Sequence, residues 1–111
     1  MHNIQVFKNR EFGEIRSIEI NNEPYFIGKD IAEILGYKNT RDAINKHVDE
    51  EDKGVANCDT LGGIQELTVI NESGLYSLIM SSKLPSAKKF KRWVTNEVLP
   101  TIRKHGMYAT E

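Results

Sequence analysis

Apolar and polar residues alternate through the first third of the chain. In NIQVFK the alternation puts Ile4, Val6 and Lys8 on one face of a strand. GEIRSIEI follows with Ile18 and Ile20 in step and Ile15 out of step, and NNE supplies a turn before PYFI. Residues 14–27 therefore predict a β-hairpin, with Pro24 at the start of its second strand because proline cannot donate to a ladder. Gly28 is expected to end that strand. Beyond it the period changes: Ile31, Ala32, Ile34 and Leu35 recur as one face of a helix, and Gly36 is placed to stop it. Thr40 is expected to cap a second helix with Ala43, Ile44 and Val48 as its apolar stripe. DEEDKG, 49–54, reads as an exposed acidic loop.

GVANCDT and IQELTVI predict a second hairpin around LGG, 61–63. Asn71 is placed to cap a helix through ESGLYSLIMSS, whose Leu75, Leu78 and Ile79 point one way, although Gly74 weakens its first turn. The longest helical pattern is PSAKKFKRWVTNEVLPTIRKHG, with Phe90, Trp93, Val94, Val98 and Ile102 as its stripe. Pro100 should kink or break it after roughly three turns. The expected class is α+β: a small antiparallel sheet of two hairpins plus an N-terminal strand, packed with a helix pair and a long basic C-terminal helix.

Charge changes this picture more than composition does. The 111 residues carry a formal net charge of −1, but unevenly. Residues 1–82 hold eight Lys and Arg against 14 Asp and Glu, a net −6, whereas residues 83–105 hold seven basic residues against Glu97 alone, a net +6. A near-neutral chain thus hides an acidic body and a basic segment able to attract a polyanion. Cys58 is the one cysteine, so no internal disulfide can form and a reducing compartment fits. No apolar run approaches the ~20 residues of a membrane span, and the N-terminus lacks the apolar region of a secretory signal.

Candidate chemistry points to binding, not catalysis. His2, His47 and His105 lie far apart with no metal-ligand neighbour, Cys58 reads as a packed strand residue, and LGG lacks the residues that cradle a phosphate. No catalytic residue, metal or cofactor is assigned. Ala32 and Gly36 carry the spacing of a helix-turn-helix, a small residue in the first helix and a glycine in the turn, although the turn GYKN is long. Around that pair, Lys38 and Lys46 are candidate phosphate contacts, together with Lys88, Lys89 and Arg92 of the basic helix. Arg41 suits a guanine edge, Asn39 and Asn45 suit adenine, and Thr40 allows close approach. Asp42 would repel phosphate. Trp93 reads as core, not as a stacking platform, and Tyr37 and Tyr108 are expected at the surface.

The order of these segments, with FIGKDIAEILGY, INESGLYSLIM and AKKFKRWVTNEVLPTIRKHG as its most specific pieces, resembles the Bro N-terminal domain of phage antirepressors and viral Bro proteins. The resemblance implies a single DNA-binding α+β domain over residues 1–108, with 109–111 a frayed tail toward a linker or C-terminal domain. It implies transcription regulation in a bacterial host cytoplasm, with double-stranded DNA as the partner. The alternative partner is a phage repressor protein, met through the acidic face of Asp49, Glu50, Glu51 and Asp52. Neither the preferred DNA sequence nor self-association follows from the residues.

Overall fold

The computed structural model describes residues 2–105, with only the backbone of His105; Tyr108 and the C-terminal tail lie outside the described residues. The elements run β1 (His2–Asn3), β2 (Gln5–Asn9), β3 (Gly13–Ile20), β4 (Glu23–Ile27), α1 (Gly28–Ile34), α2 (Thr40–His47), a 3-10 turn (Glu50–Asp52), β5 (Lys53–Thr60), β6 (Gly63–Asn71), α3 (Glu72–Ser81) and α4 (Ala87–Trp93). A π-helical turn (Val94–Val98) then leads into α5 (Leu99–His105).

The class is α+β, as expected, but the sheet is six-stranded and mixed, in the order β1-β5-β6-β4-β3-β2, where a small antiparallel sheet was expected. The two expected hairpins are there, joined through β4 and β6, with Phe26 opposite Ile70. The first turns at Asn21 and Asn22, both at positive φ (53° and 65°), the geometry that matches the twist of a tight hairpin. The N-terminal strand departs from the expectation. It breaks at Ile4; β2 pairs antiparallel with β3, while β1 pairs parallel with β5 through His2 opposite Cys58. One short segment therefore forms both edges of the sheet, which curls toward closure and leaves little free edge.

Curling gives the sheet two apolar faces. Ile18, Ile27, Ala56, Cys58 and Val69 fill the inside of the curl. Ile15, Phe26 and Ile70 face the helices, where they meet Ile31, Ala32, Leu75, Leu78, Phe90 and Ile102. Phe7, opposite Ile15, packs on this helical side, whereas Val6, on the other face of β2, is 46% exposed.

Gly28 starts α1 instead of ending β4, and a Cβ there would lie 2.6 Å from Ile44 Cδ1, so glycine lets α2 close onto the strand-to-helix junction. Beside it, Asp30 holds α1 against β3. The last β3–β4 pair is Ser17 with Phe26. The next backbone N–H, of Arg16, donates instead to Asp30 Oδ2 at 3.0 Å, and the Arg16 guanidinium grips both carboxylate oxygens at 2.8 and 2.7 Å. The carboxylate thus replaces a strand partner at the point where the chain leaves the sheet.

The C-terminal helix is interrupted just ahead of Pro100, as expected, although the chain stays helical: α4 gives way to the π-helical turn, whose last hydrogen bond runs from Leu99 N–H to Val94 O, and α5 continues through the proline. Trp93, 7% exposed, stacks with Phe12 and tilts against Phe90 as core.

Asp30→Ala removes one carboxylate that serves three donors. It should lower the unfolding free energy by about 2 kcal/mol in a urea titration, and an unchanged midpoint would show that the grip contributes nothing.

Candidate nucleic-acid interface

The helix pair is built as its spacing suggests, with one exchange of roles. Ala32 is fully buried and Gly36 ends α1 at φ +87°, with Gly36 N–H donating to Glu33 O and Tyr37 N–H to Ala32 O. Asn39, not Thr40, caps α2: its Oδ1 accepts from Asp42 N–H at 3.0 Å, and Thr40 is the first helical residue. Asn is a strong cap and leaves the threonine free to start the helix. The side-chain oxygen of Asn39 is therefore turned back on its own helix, and its amide nitrogen is the group left to face a base.

Residues three and four apart share a helix face. Ala43 and Ile44 are buried and His47 half-buried, so Arg41, Asp42, Asn45 and Lys46 form the exposed face of α2. Lys53 Nζ donates to Asn45 Oδ1 at 3.3 Å and Asn45 retains its amide donor. On one flank, Thr40, Arg41 and Asn45 line a groove of about 240 Å³ against β6, shared with Lys29, Glu66 and Thr68 over a floor of Ile27, Ile44 and Leu67.

On the other flank, Lys38, Lys46 and His47 line a cleft of about 390 Å³ with Ser81 and Lys83. Tyr37, expected at the surface, is half-buried here. Its hydroxyl donates to Leu78 O at 2.8 Å, its ring meets His47 at 5.6 Å, and burial pushes its phenol pKa above the ordinary value.

Lys88, Lys89 and Arg92 do come together. They line a third cleft, about 560 Å³, with Pro85, Ser86 and Glu11. Glu11 reaches Lys89 at 3.8 Å from a turn closed by Asn9 and pinned by Phe12 against Phe90. Among the described residues, no carboxylate lies within ion-pairing distance of Lys38, Lys46, Lys83, Lys88, Arg92 or Arg41.

The segment 82–86 links the two basic clefts and is fixed to the helix pair. Ser82 Oγ donates to Leu35 O at 2.8 Å, and Leu84 covers Gly36, where a Cβ would lie 2.7 Å from Leu84 Cδ1. Lys83 and Lys29 carry no site assignment from the sequence. Lys83 had a signal in its place between two helices; Lys29 had none, since its groove partner Thr68 lies on another element.

The acidic alternative is less free than it looks in sequence. Glu50 pairs with Lys53 at 3.4 Å and Asp52 accepts from Asn71 Nδ2 at 3.2 Å, which leaves Asp49 and Glu51 exposed and, among the described residues, without a side-chain partner. Cys58 is fully buried and burial pushes its thiol pKa up, which holds back the thiolate a nucleophile needs.

The family model for the BRO family, N-terminal domain, matches residues 14–100. The chain belongs to this family. Its relatives include the Bro-N domain-containing protein 289L of Invertebrate iridescent virus 6, 45% identical over 106 residues that cover 79% of this chain and 25% of that protein. An uncharacterized protein of Haemophilus influenzae is 44% identical over 86 residues, 78% of this chain and 43% of that protein. The Bro-N domain-containing protein L2 of Acanthamoeba polyphaga mimivirus is 29% identical over 98 residues, 78% of this chain and 40% of that protein. This Bro-N chain thus spans well under half the length of these curated relatives. No solved structure matches it.

Gly36→Ala should destabilise the domain by about 1–2 kcal/mol, because alanine resists the left-handed backbone. The loss should shrink in a Leu84→Ala background, where the Cβ meets no side chain; equal losses in both backgrounds would show that Leu84 does not rest on the turn.

Proposed function

We propose that this Bro-N domain is the double-stranded-DNA-binding module of an antirepressor-type regulator. One observation carries the reading: the segment 82–86, docked on the α1–α2 turn, joins Lys38, Lys46 and Lys83 on one side to Lys88, Lys89 and Arg92 on the other. Six cations beside an exposed short helix, five of them without a carboxylate partner among the described residues and Lys89 shared with Glu11 at 3.8 Å, make an electrostatic footprint for phosphates. The exposed face of α2, about 12 Å long by its eight residues, fits the major groove, with Arg41 and Asn45 toward base edges. Thr40, half-buried, sets the distance of approach more than it reads. The alternative, contact with a repressor protein through Asp49, Glu50, Glu51 and Asp52, has less support because Glu50 and Asp52 are already engaged.

Anisotropy titrations of a labelled duplex across salt concentrations test the reading. If all six cations meet phosphates, log Kd should change with log salt by about 5, and Lys88→Ala, Lys89→Ala and Arg92→Ala together should remove about half of that slope. Glu11→Gln should act in the opposite direction and tighten binding at low salt. A wild-type affinity indifferent to salt, or a slope the triple change leaves intact, would sink the proposal.

A further inference from the structure

Between the two basic clefts the chain forms a narrow ridge. It carries Leu84, 40% exposed, on the side of the first cleft and exposed Pro85 on the side of the second. The ridge is rigid at both ends: Leu84 N–H donates to Ser82 Oγ at 3.2 Å, and Ala87 N–H donates to Leu84 O at 3.1 Å, closing a turn into α4. Lys83 lies on one side with Lys38 and Lys46, and Lys88 lies on the other with Lys89 and Arg92. Five residue steps separate Lys83 from Lys88, at most about 17 Å of chain and less across the turn.

An apolar crest two residues wide, flanked on both sides by cations, is complementary to two rows of phosphate flanking a narrower strip of base edges. The duplex minor groove, about 6 Å wide, has that form; the major groove, about 12 Å, is wide enough for a whole helix. A single strand offers one phosphate row and rewards aromatic platforms, and the crest carries Leu and Pro instead. Resting on the DNA reading above, we propose that the Leu84–Pro85 ridge sits over the minor groove, with each basic cleft on one of its two strands, while α2 occupies the adjoining major groove. Leucine and proline are among the side chains that pack against base steps from the minor-groove side.

The test uses the whole chain and an A·T-rich duplex. Hydroxyl-radical cleavage should show protection facing across one minor groove, and netropsin, which fills that groove, should compete with the protein. Pro85→Glu should weaken binding on the order of tenfold and abolish that protection, whereas Val55→Glu, the same charge on exposed β5, should change affinity by about twofold or less. Far-ultraviolet circular dichroism and the urea midpoint check that both variants fold. Binding that ignores netropsin and responds equally to the two variants overturns the minor-groove placement alone. Absence of any salt-dependent duplex binding by the unaltered chain overturns the DNA reading and this placement with it.

Discussion

The docking of Ser82 and Leu84 on the end of α1 decides whether this domain has one basic surface or two. Helix α1 ends with carbonyls that need partners, and Ser82 Oγ supplies one at Leu35. Gly36, left-handed and without a Cβ, lets Leu84 close over the turn. Each contact is small, an ordinary hydrogen bond of about 1 kcal/mol and part of a leucine's burial. Together they fix the start of α4 relative to α2. Were the 82–86 segment free, Lys88, Lys89 and Arg92 would still be cationic but would have no fixed bearing on Lys38 and Lys46.

The sheet supplies the rigidity behind that junction. Because the N-terminal strand pairs at both ends of the strand order, the curl is held from two sides, and β4 and β6 lie at its centre under the helices. Asp30 then fixes the first turn of α1 to β3 where the ladder stops. At the start of α3, Gly74 sits so close to Val48, Ile70 and Asp52 O, at 3.0–3.2 Å from where a Cβ would be, that α3 packs tightly on the end of α2, the 3-10 turn and the end of β6. The glycine that looked like a weakness in a helix is a packing requirement. Helices α1, α2 and α3 are thereby fixed to one frame before the basic helix is added.

Local chemistry was legible in the sequence. Asn71 as a cap, Gly36 as a stop, the Asn21–Asn22 turn and Trp93 as core each depend on residues within a few positions of one another or on a helical period. Contacts between distant segments were not. The parallel pairing of His2 with Cys58 and the grip of Arg16 on Asp30 have no periodic signature. Alternation put Ile4 and Val6 on one face, and both line an open mouth of the curl with Leu61, but it could not tell that Phe7, on the other face, is the residue that packs against the helices. The interruption expected at Pro100 is there, but its form, a π-helical turn just ahead of the proline, is one that no propensity announces. For the site, the residue types were readable and their partition was not: only the fold shows that Arg41 and Asn45 turn toward β6 while Lys46 turns toward Lys83.

Asp42 gains a meaning from that partition. It lies on the exposed face of α2 between Arg41 and Lys46, and its backbone N–H is already bonded to Asn39. A carboxylate in that position opposes laying the helix flat along a phosphate strand, since phosphates would meet it directly. It does not oppose a helix standing over base edges, where the amino group of cytosine is a donor that a carboxylate accepts. In the proposed docking the phosphates would then fall to the flanks, and Lys38 and Lys83 lie on the flank beyond Lys46. If the domain binds DNA as proposed, the same acidic residue counts against non-specific adhesion to the backbone and favours a docking in which α2 faces bases and the basic cleft beside it faces phosphate.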